Sequence, residues 1–182
     1  MKEREEIDAL LDTWAIGFQA FEKRKTIQKY SHCVIREKTI GYLLQSKWLI
    51  GKIWIDTCFS REEAVYDLHL AKFYKIIELA KQAEAIQIFN THPRAKFTFE
   101  MGFIPLLAFV LIKCRLLSLR IAAMKLIKAL AHEKESLWNL NTFTAFATHI
   151  IQFEHGLQLE LEEDIADVAD DGVMVWLHCG RK

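Results

Sequence analysis

Proline and glycine are scarce, with only 2 prolines and 7 glycines in 182 residues. So little punctuation disfavours many short strands joined by tight turns and favours long helices. Paired cysteines are missing as well. Cys33, Cys58, Cys114 and Cys179 lie far apart with no CxxC spacing, the pattern of reduced intracellular thiols and not of a disulfide scaffold or zinc site. Net charge is absent, since Lys+Arg and Asp+Glu both number 24, so no global positive field draws the chain to nucleic acid. The opening MKEREEID is charged and has no apolar core of the kind a secretory signal needs. Finally, no hydrophobic run has membrane-spanning length. The most apolar run, Met101 to Ile112, is twelve residues between Glu100 and Lys113, against the roughly 20 that cross a bilayer. Extending it admits Lys113, Arg115 and Arg120, each costly at mid-bilayer, so the run reads as a buried helix.

What is present is core-forming material. Hydrophobic residues make up 52% of the chain, including 12 Phe and 5 Trp, enough for a substantial core in one domain over residues 1–182. Ile7, Leu10, Leu11, Trp14, Phe18 and Phe21 recur at three- and four-residue spacing and predict an amphipathic helix over 4–25. Ile40, Leu43, Leu44 and Trp48 predict a second over 27–50, with Gly51–Ser60 as a loop or short turn. Ser60 followed by Arg61-Glu62-Glu63 predicts a capping box. Val65, Leu68, Ile76, Leu79, Ala83 and Ile86 then outline a long helix ending near Asn90, where Thr91-His92-Pro93 breaks it.

Beyond Gly102, helices are expected over 104–115, 117–131 and 137–155, with Pro105 in a first turn and Gly156 as the residue that ends the last one. Asp170-Asp171-Gly172 is a turn signal, and Val173–Leu177 reads as a short extended tail. The expected fold is all-α, with six or seven helices.

The motifs of catalysis are missing. There is no GxSxG elbow, no HExxH, no Glu-x-x-His pair and no Gly-rich phosphate loop. His149 and His155 are six residues apart, about 240° around a helix, and do not share a face. Together with His178 and Cys179 they make the best available metal set, but scattered histidines fit the pattern better. The expectation is a non-enzyme with no metal and no cofactor. Cys114 reads as a small buried hydrophobe. Lys113, Arg115, Arg120, Lys125 and Lys128 carry no aromatic interleaving, so they read as a solvated face and not as a nucleic-acid patch. The acidic segment Leu157–Asp171 reads the same way.

Several stretches in order resemble the regulatory domain downstream of the DNA-binding module in fungal binuclear zinc-cluster (Zn2Cys6) transcription factors. "FTFEMGFIPLLAFVLIKCR", Phe97 to Arg115, resembles that family's aromatic entry, Gly, Ile-Pro, apolar run and Lys-Cys-Arg, on Gly102, Pro105, Lys113, Cys114 and Arg115. "LSLRIAAMKLI" resembles its Arg-rich helix on Arg120, with Ile121 where a second Arg is usual. "KESLWN" resembles its Arg-Glu-Gly-Leu-Trp element on Glu135, Leu137 and Trp138, with Ser136 in place of Gly. "HIIQFEHG" resembles the helix ending in Ile-x-x-Glu-Glu on Glu154, with His155 departing. The resemblance spans roughly 5–178 and is specific over 97–155.

The resemblance implies a helical regulator of transcription in the nucleus, with a cytoplasmic location as the alternative. It implies control of a metabolic gene cluster, secondary metabolism included, through protein partners or a small-molecule effector. The family's zinc module needs six cysteines close together, and this chain has four scattered ones. Sequence-specific DNA contact by these residues is therefore not expected. The chain is either part of a larger regulator or a short one without the module. The signature residues read mainly as core and helix-junction elements, with Arg120 or Arg115 expected to pair with Glu135 or Glu154. The alternative is a small helical metal- or ligand-binding protein or enzyme on the same scaffold.

Overall fold

In a computed structural model, residues 2–25, 31–87 and 96–156 are described, and they form an all-α fold. Six α-helices are present among them: α1 Lys2–Lys25, α2 Ser31–Thr57, α3 Leu70–Gln87, α4 Phe103–Lys113, α5 Leu117–Leu130 and α6 Leu140–His155. A 3-10 helix, Glu63–His69, precedes α3. The chain divides into two compact units, residues 1–90 and 91–182. The Thr91-His92-Pro93 break and the expected turn and extended tail beyond Gly156 lie outside the described residues. No described helix is long and apolar enough to cross a membrane.

In the first unit α2 and α3 pack along each other and α1 lies against α2. Ile53 of α2 and Phe73 and Ala83 of α3 are fully buried, and Ile76 nearly so. Helix α2 does not stop at Gly51 as expected but runs on to Thr57. The apolar spacing continues through Ile50, Ile53 and Thr57, all buried. Gly51 also suits a close helix crossing, since a Cβ there would come 3.3 Å from Leu11 Cδ1. The expected capping box does not form. Ser60 Oγ accepts the Glu62 amide at 3.2 Å in a tight turn, and the 3-10 helix begins at Glu63 with no buried residue. Leu68, expected on a buried stripe, is exposed.

In the second unit α4, α5 and α6 pack pairwise against one another. Helix α4 buries Phe103, Ile104, Leu106, Leu107, Ala108, Val110 and Leu111, so the apolar run is a core helix buried nearly all round. Each such aliphatic or aromatic side chain contributes about 1.5–3 kcal/mol on burial. Leu119, Met124, Leu126 and Ile127 of α5 and Phe143, Ala147 and Ile151 of α6 complete this core. Asn139 caps α6 by accepting the Thr142 amide at 3.0 Å. Gly156 closes it at φ 65°, the left-handed end that glycine tolerates best.

The sequence pattern did not foreshadow a small sheet. Two-residue strands β1 Phe97–Thr98, β2 Lys134–Glu135 and β3 Trp138–Asn139 lie in the order β1-β2-β3. Phe97 pairs parallel with Lys134, and Glu135 pairs antiparallel with Trp138. Helix α6 therefore begins at Leu140 and not at 137.

Candidate functional site

Gly102, Pro105, Cys114, Arg120, Glu135 and Glu154 gather in the second unit around two buried charges. The first is Glu135, which is 1% exposed. Helix α4 starts at Gly102, which has no side chain to cap it. Glu135 arrives from β2 instead: its Oε2 accepts the Ile104 amide at 3.0 Å and its Oε1 accepts the His132 amide at 3.1 Å. A carboxylate at a helix N-terminus is favoured both by the open amides and by the helix dipole. The approach leaves no room for a side chain at 102, because a Cβ on Gly102 would lie 2.7 Å from Glu135 Oε1. Glycine and glutamate, 33 positions apart in sequence, thus form one device. Pro105 occupies the first turn of α4, where its missing N–H costs nothing.

The second buried charge is Arg120, with no exposed surface. Its Nε donates to the Cys114 carbonyl and its Nη1 pairs with the Glu154 carboxylate. The same Nη1 lies 3.2 Å from His155 Nε2. One guanidinium therefore ties the end of α4, the first turn of α5 and the end of α6 together. Of the pairings expected, Arg120–Glu154 forms, while Glu135 serves backbone amides. Cys114 is buried, and Lys113 and Arg115 flank it half-exposed. Trp138 is half-buried and meets Phe143 edge-to-face with ring centroids 5.9 Å apart. The basic face expected from Lys113 to Lys128 has its central member, Arg120, committed to the interior.

His155, at the end of α6, completes this cluster. Its pKa lies below 6.5, because burial and the neighbouring Arg120 guanidinium disfavour its cation more than Glu154 favours it. With Nε2 facing a permanent donor, the neutral ring carries its proton on Nδ1, an atom with no hydrogen-bond partner. His149 is exposed on the same helix, while His178 and Cys179 lie outside the described residues. Among the described residues no group of three or more His, Cys, Asp or Glu side chains is placed to hold a metal.

The first unit holds a feature that motif reading missed, an open cavity of about 370 Å³ between α1, α2 and α3. Trp14, Phe18, Trp48, Leu49 and Leu79 supply apolar walls, and Glu22, Lys23, Gln45 and Lys75 are also in its lining. Trp14 and Phe18 stack at 5.0 Å and 11°, and Trp48 Nε1 donates to the Leu11 carbonyl at 3.1 Å. The rings are thereby held in fixed positions, which lowers the ordering cost of binding a flat apolar molecule. The only advance signal was the doubled aromatic spacing of Trp14 and Phe18.

Beside it, charge holds α1 in place. Lys52 pairs with Asp8 and with Asp12, the latter at 3.0 Å. Burial opposes the Lys52 ammonium, but these two carboxylates outweigh it and raise its pKa above 10.5. Asp56 contacts Lys72 at 2.9 Å, Arg4 at 3.6 Å and His69 at 3.8 Å. Burial acts to raise the Asp56 pKa, yet Lys72 and its cationic neighbours hold it below 3.8. His69 is pushed below 6.5 by burial and by Lys72.

Comparison of the chain with family models, with curated proteins and with solved structures gives no match.

Proposed function

We propose that the chain is a helical transcription-regulator domain of the fungal zinc-cluster type, working without a zinc cluster of its own through protein contacts or effector binding. One observation carries this reading: the residues quoted for the resemblance are mutually dependent in space. Gly102 makes room for Glu135, Glu135 starts α4, and Arg120 joins α4 and α5 to Glu154. Such mutual dependence supports reading these residues as a scaffold motif. The cavity against Trp14, Phe18 and Trp48 suits an apolar effector. Exposed Phe97, Phe99, Met101 and Leu137 in the second unit suit a protein partner.

In this reading the chain breaks no bonds, acts in the nucleus and bears on a metabolic gene cluster. The test is to tether the chain to an unrelated DNA-binding domain and measure transcription from a reporter carrying its site. A change in reporter output that Gln45→Trp, which narrows the cavity, reduces without lowering the melting temperature supports the effector version. An unchanged reporter, with no nuclear enrichment of the untethered chain, sinks the proposal.

A further inference from the structure

The cavity between α1, α2 and α3 offers a bound molecule rings, balanced charge and open amides. The rings come from two helices, Trp14 and Phe18 from α1 and Trp48 from α2. The indole N–H of Trp48 is engaged by the Leu11 carbonyl, so that side chain presents only its ring. Faces of tryptophan and phenylalanine prefer another flat ring, stacked with an offset or met edge-on. An aliphatic chain of equal area lacks that gain and loses more rotamer freedom when it is ordered.

Charge narrows the choice. Glu22, Lys23 and Lys75 are the ionised groups of the described lining, and Lys75 is paired with Glu78 at 2.9 Å. With Glu78 counted, cations and anions cancel. Aromatic faces alone would draw a cation, but Lys23 and Lys75 oppose one. An anion would meet Glu22 and compete with Glu78 for Lys75. A neutral molecule avoids both penalties. The amides supply the last constraint. Gln19 and Gln45 belong to the same lining, and neither has a hydrogen-bond partner among the described residues. Gln45 is half-buried, so hydrocarbon laid over its amide would remove water and return no bond. A carboxamide both donates and accepts, and a hydroxyl or carbonyl on the ligand's edge answers it in either orientation. A volume of about 370 Å³ lies at the small end of the range for ligand pockets, the scale of a compact fused-ring molecule.

From this we infer that the cavity binds a neutral, flat aromatic molecule with a hydroxyl or carbonyl on its edge, the rings held by Trp14, Phe18 and Trp48 and the edge by Gln45. The inference rests on the effector reading of this cavity and gives that effector its chemistry.

The experiment is equilibrium dialysis of the full chain against bicyclic probes of nearly one size, with circular dichroism to monitor folding. The probes are 2-naphthol, naphthalene, 2-naphthoate, 2-naphthylmethylammonium and the saturated alcohol 2-decalol. For 2-naphthol a Kd of about 0.1–1 mM is expected, and each of the others should bind about threefold to tenfold more weakly. Gln45→Leu is expected to erase the advantage of 2-naphthol over naphthalene. Phe18→Leu keeps an apolar wall but removes a ring, so 2-naphthol should weaken about fivefold while 2-decalol is unchanged. Absence of 2-naphthol binding at millimolar concentration overturns the inference, as does equal binding of 2-decalol, preference for either charged probe, or 2-naphthol affinity unaltered by Gln45→Leu. Tighter binding of N-acetyltryptophanamide overturns it too, and assigns the cavity to an indole side chain of a partner protein. The two readings fail separately. If the tethered reporter responds and depends on position 45 while no bicyclic probe binds, the ligand class falls and the regulator stands. If 2-naphthol binds as expected and the reporter is silent, the regulator falls and the site stands.

Discussion

The Gly102–Glu135 contact makes a quantitative demand on two residues far apart in sequence. Gly102→Ala forces a methyl against a carboxylate held by two amides, and the expected loss is about 1–3 kcal/mol in denaturant unfolding. Glu135→Asp shortens the side chain and relieves that clash, so the double variant is expected to lose less than the two single losses added together, as a double-mutant cycle reads directly. Ser136 makes the opposite demand. Its φ of 52° is the described chain's one left-handed position outside glycine, at the turn between β2 and β3. Ser136→Gly is expected to stabilise by about 1 kcal/mol, and Ser136→Val to destabilise by more than that. His155 and His69 both have pKa values below 6.5. The unfolded chain binds protons there more readily than the folded one, so stability is complete above about pH 6.5 and falls as pH drops through the folded pKa values. His155→Gln is expected to flatten that slope between pH 7 and 5, measured by urea midpoints.

At the scale of elements, periodicity announced helices well and their faces poorly. The three- and four-residue spacing of Ile7, Leu10, Leu11, Trp14, Phe18 and Phe21 marked α1, yet no described residue of that helix is fully buried. A repeat says which residues share a face and not whether a neighbour covers it. Gly51 read as a stop because glycine is a poor helix former, whereas its missing side chain admits Leu11. The three short strands escaped notice because two-residue strands leave no alternation to count. Arg120 with Glu154 was among the pairings anticipated, while the capping role of Glu135 depends on a contact 31 residues away that no local pattern encodes. Because α1 is held by charge more than by burial, Lys52→Ala is expected to loosen it selectively. Amide exchange within α1 should accelerate by roughly fivefold or more, about 1 kcal/mol of lost attachment, while α4 and α5 are unaffected.

For the whole molecule, equal numbers of cationic and anionic residues bear on nucleic acid directly. Affinity for duplex DNA grows with the number of phosphates neutralised, and the buried Arg120 contributes none. Negligible sequence-selective binding is expected in a salt titration, and selective binding that persists near physiological salt would count against a reading in which DNA contact lies elsewhere. Elemental analysis of protein purified without a metal-affinity tag is expected to find no stoichiometric metal, which would leave His149, His155, His178 and Cys179 without the alternative role.

The carboxylate at the head of α4 also governs the order in which this part of the chain can mature. As the chain emerges from the ribosome, the most apolar helix appears first, and its leading amides wait for a residue 31 positions later. Strand β1 waits likewise for β2. Until position 135 is free, the α4 segment is greasy, uncapped and exposed, the state in which a nascent chain recruits chaperones. Once Glu135 arrives, one side chain closes both ends of the loop together. The Ile104 and His132 amides, bound to its two oxygens, are therefore expected to exchange with a common opening free energy.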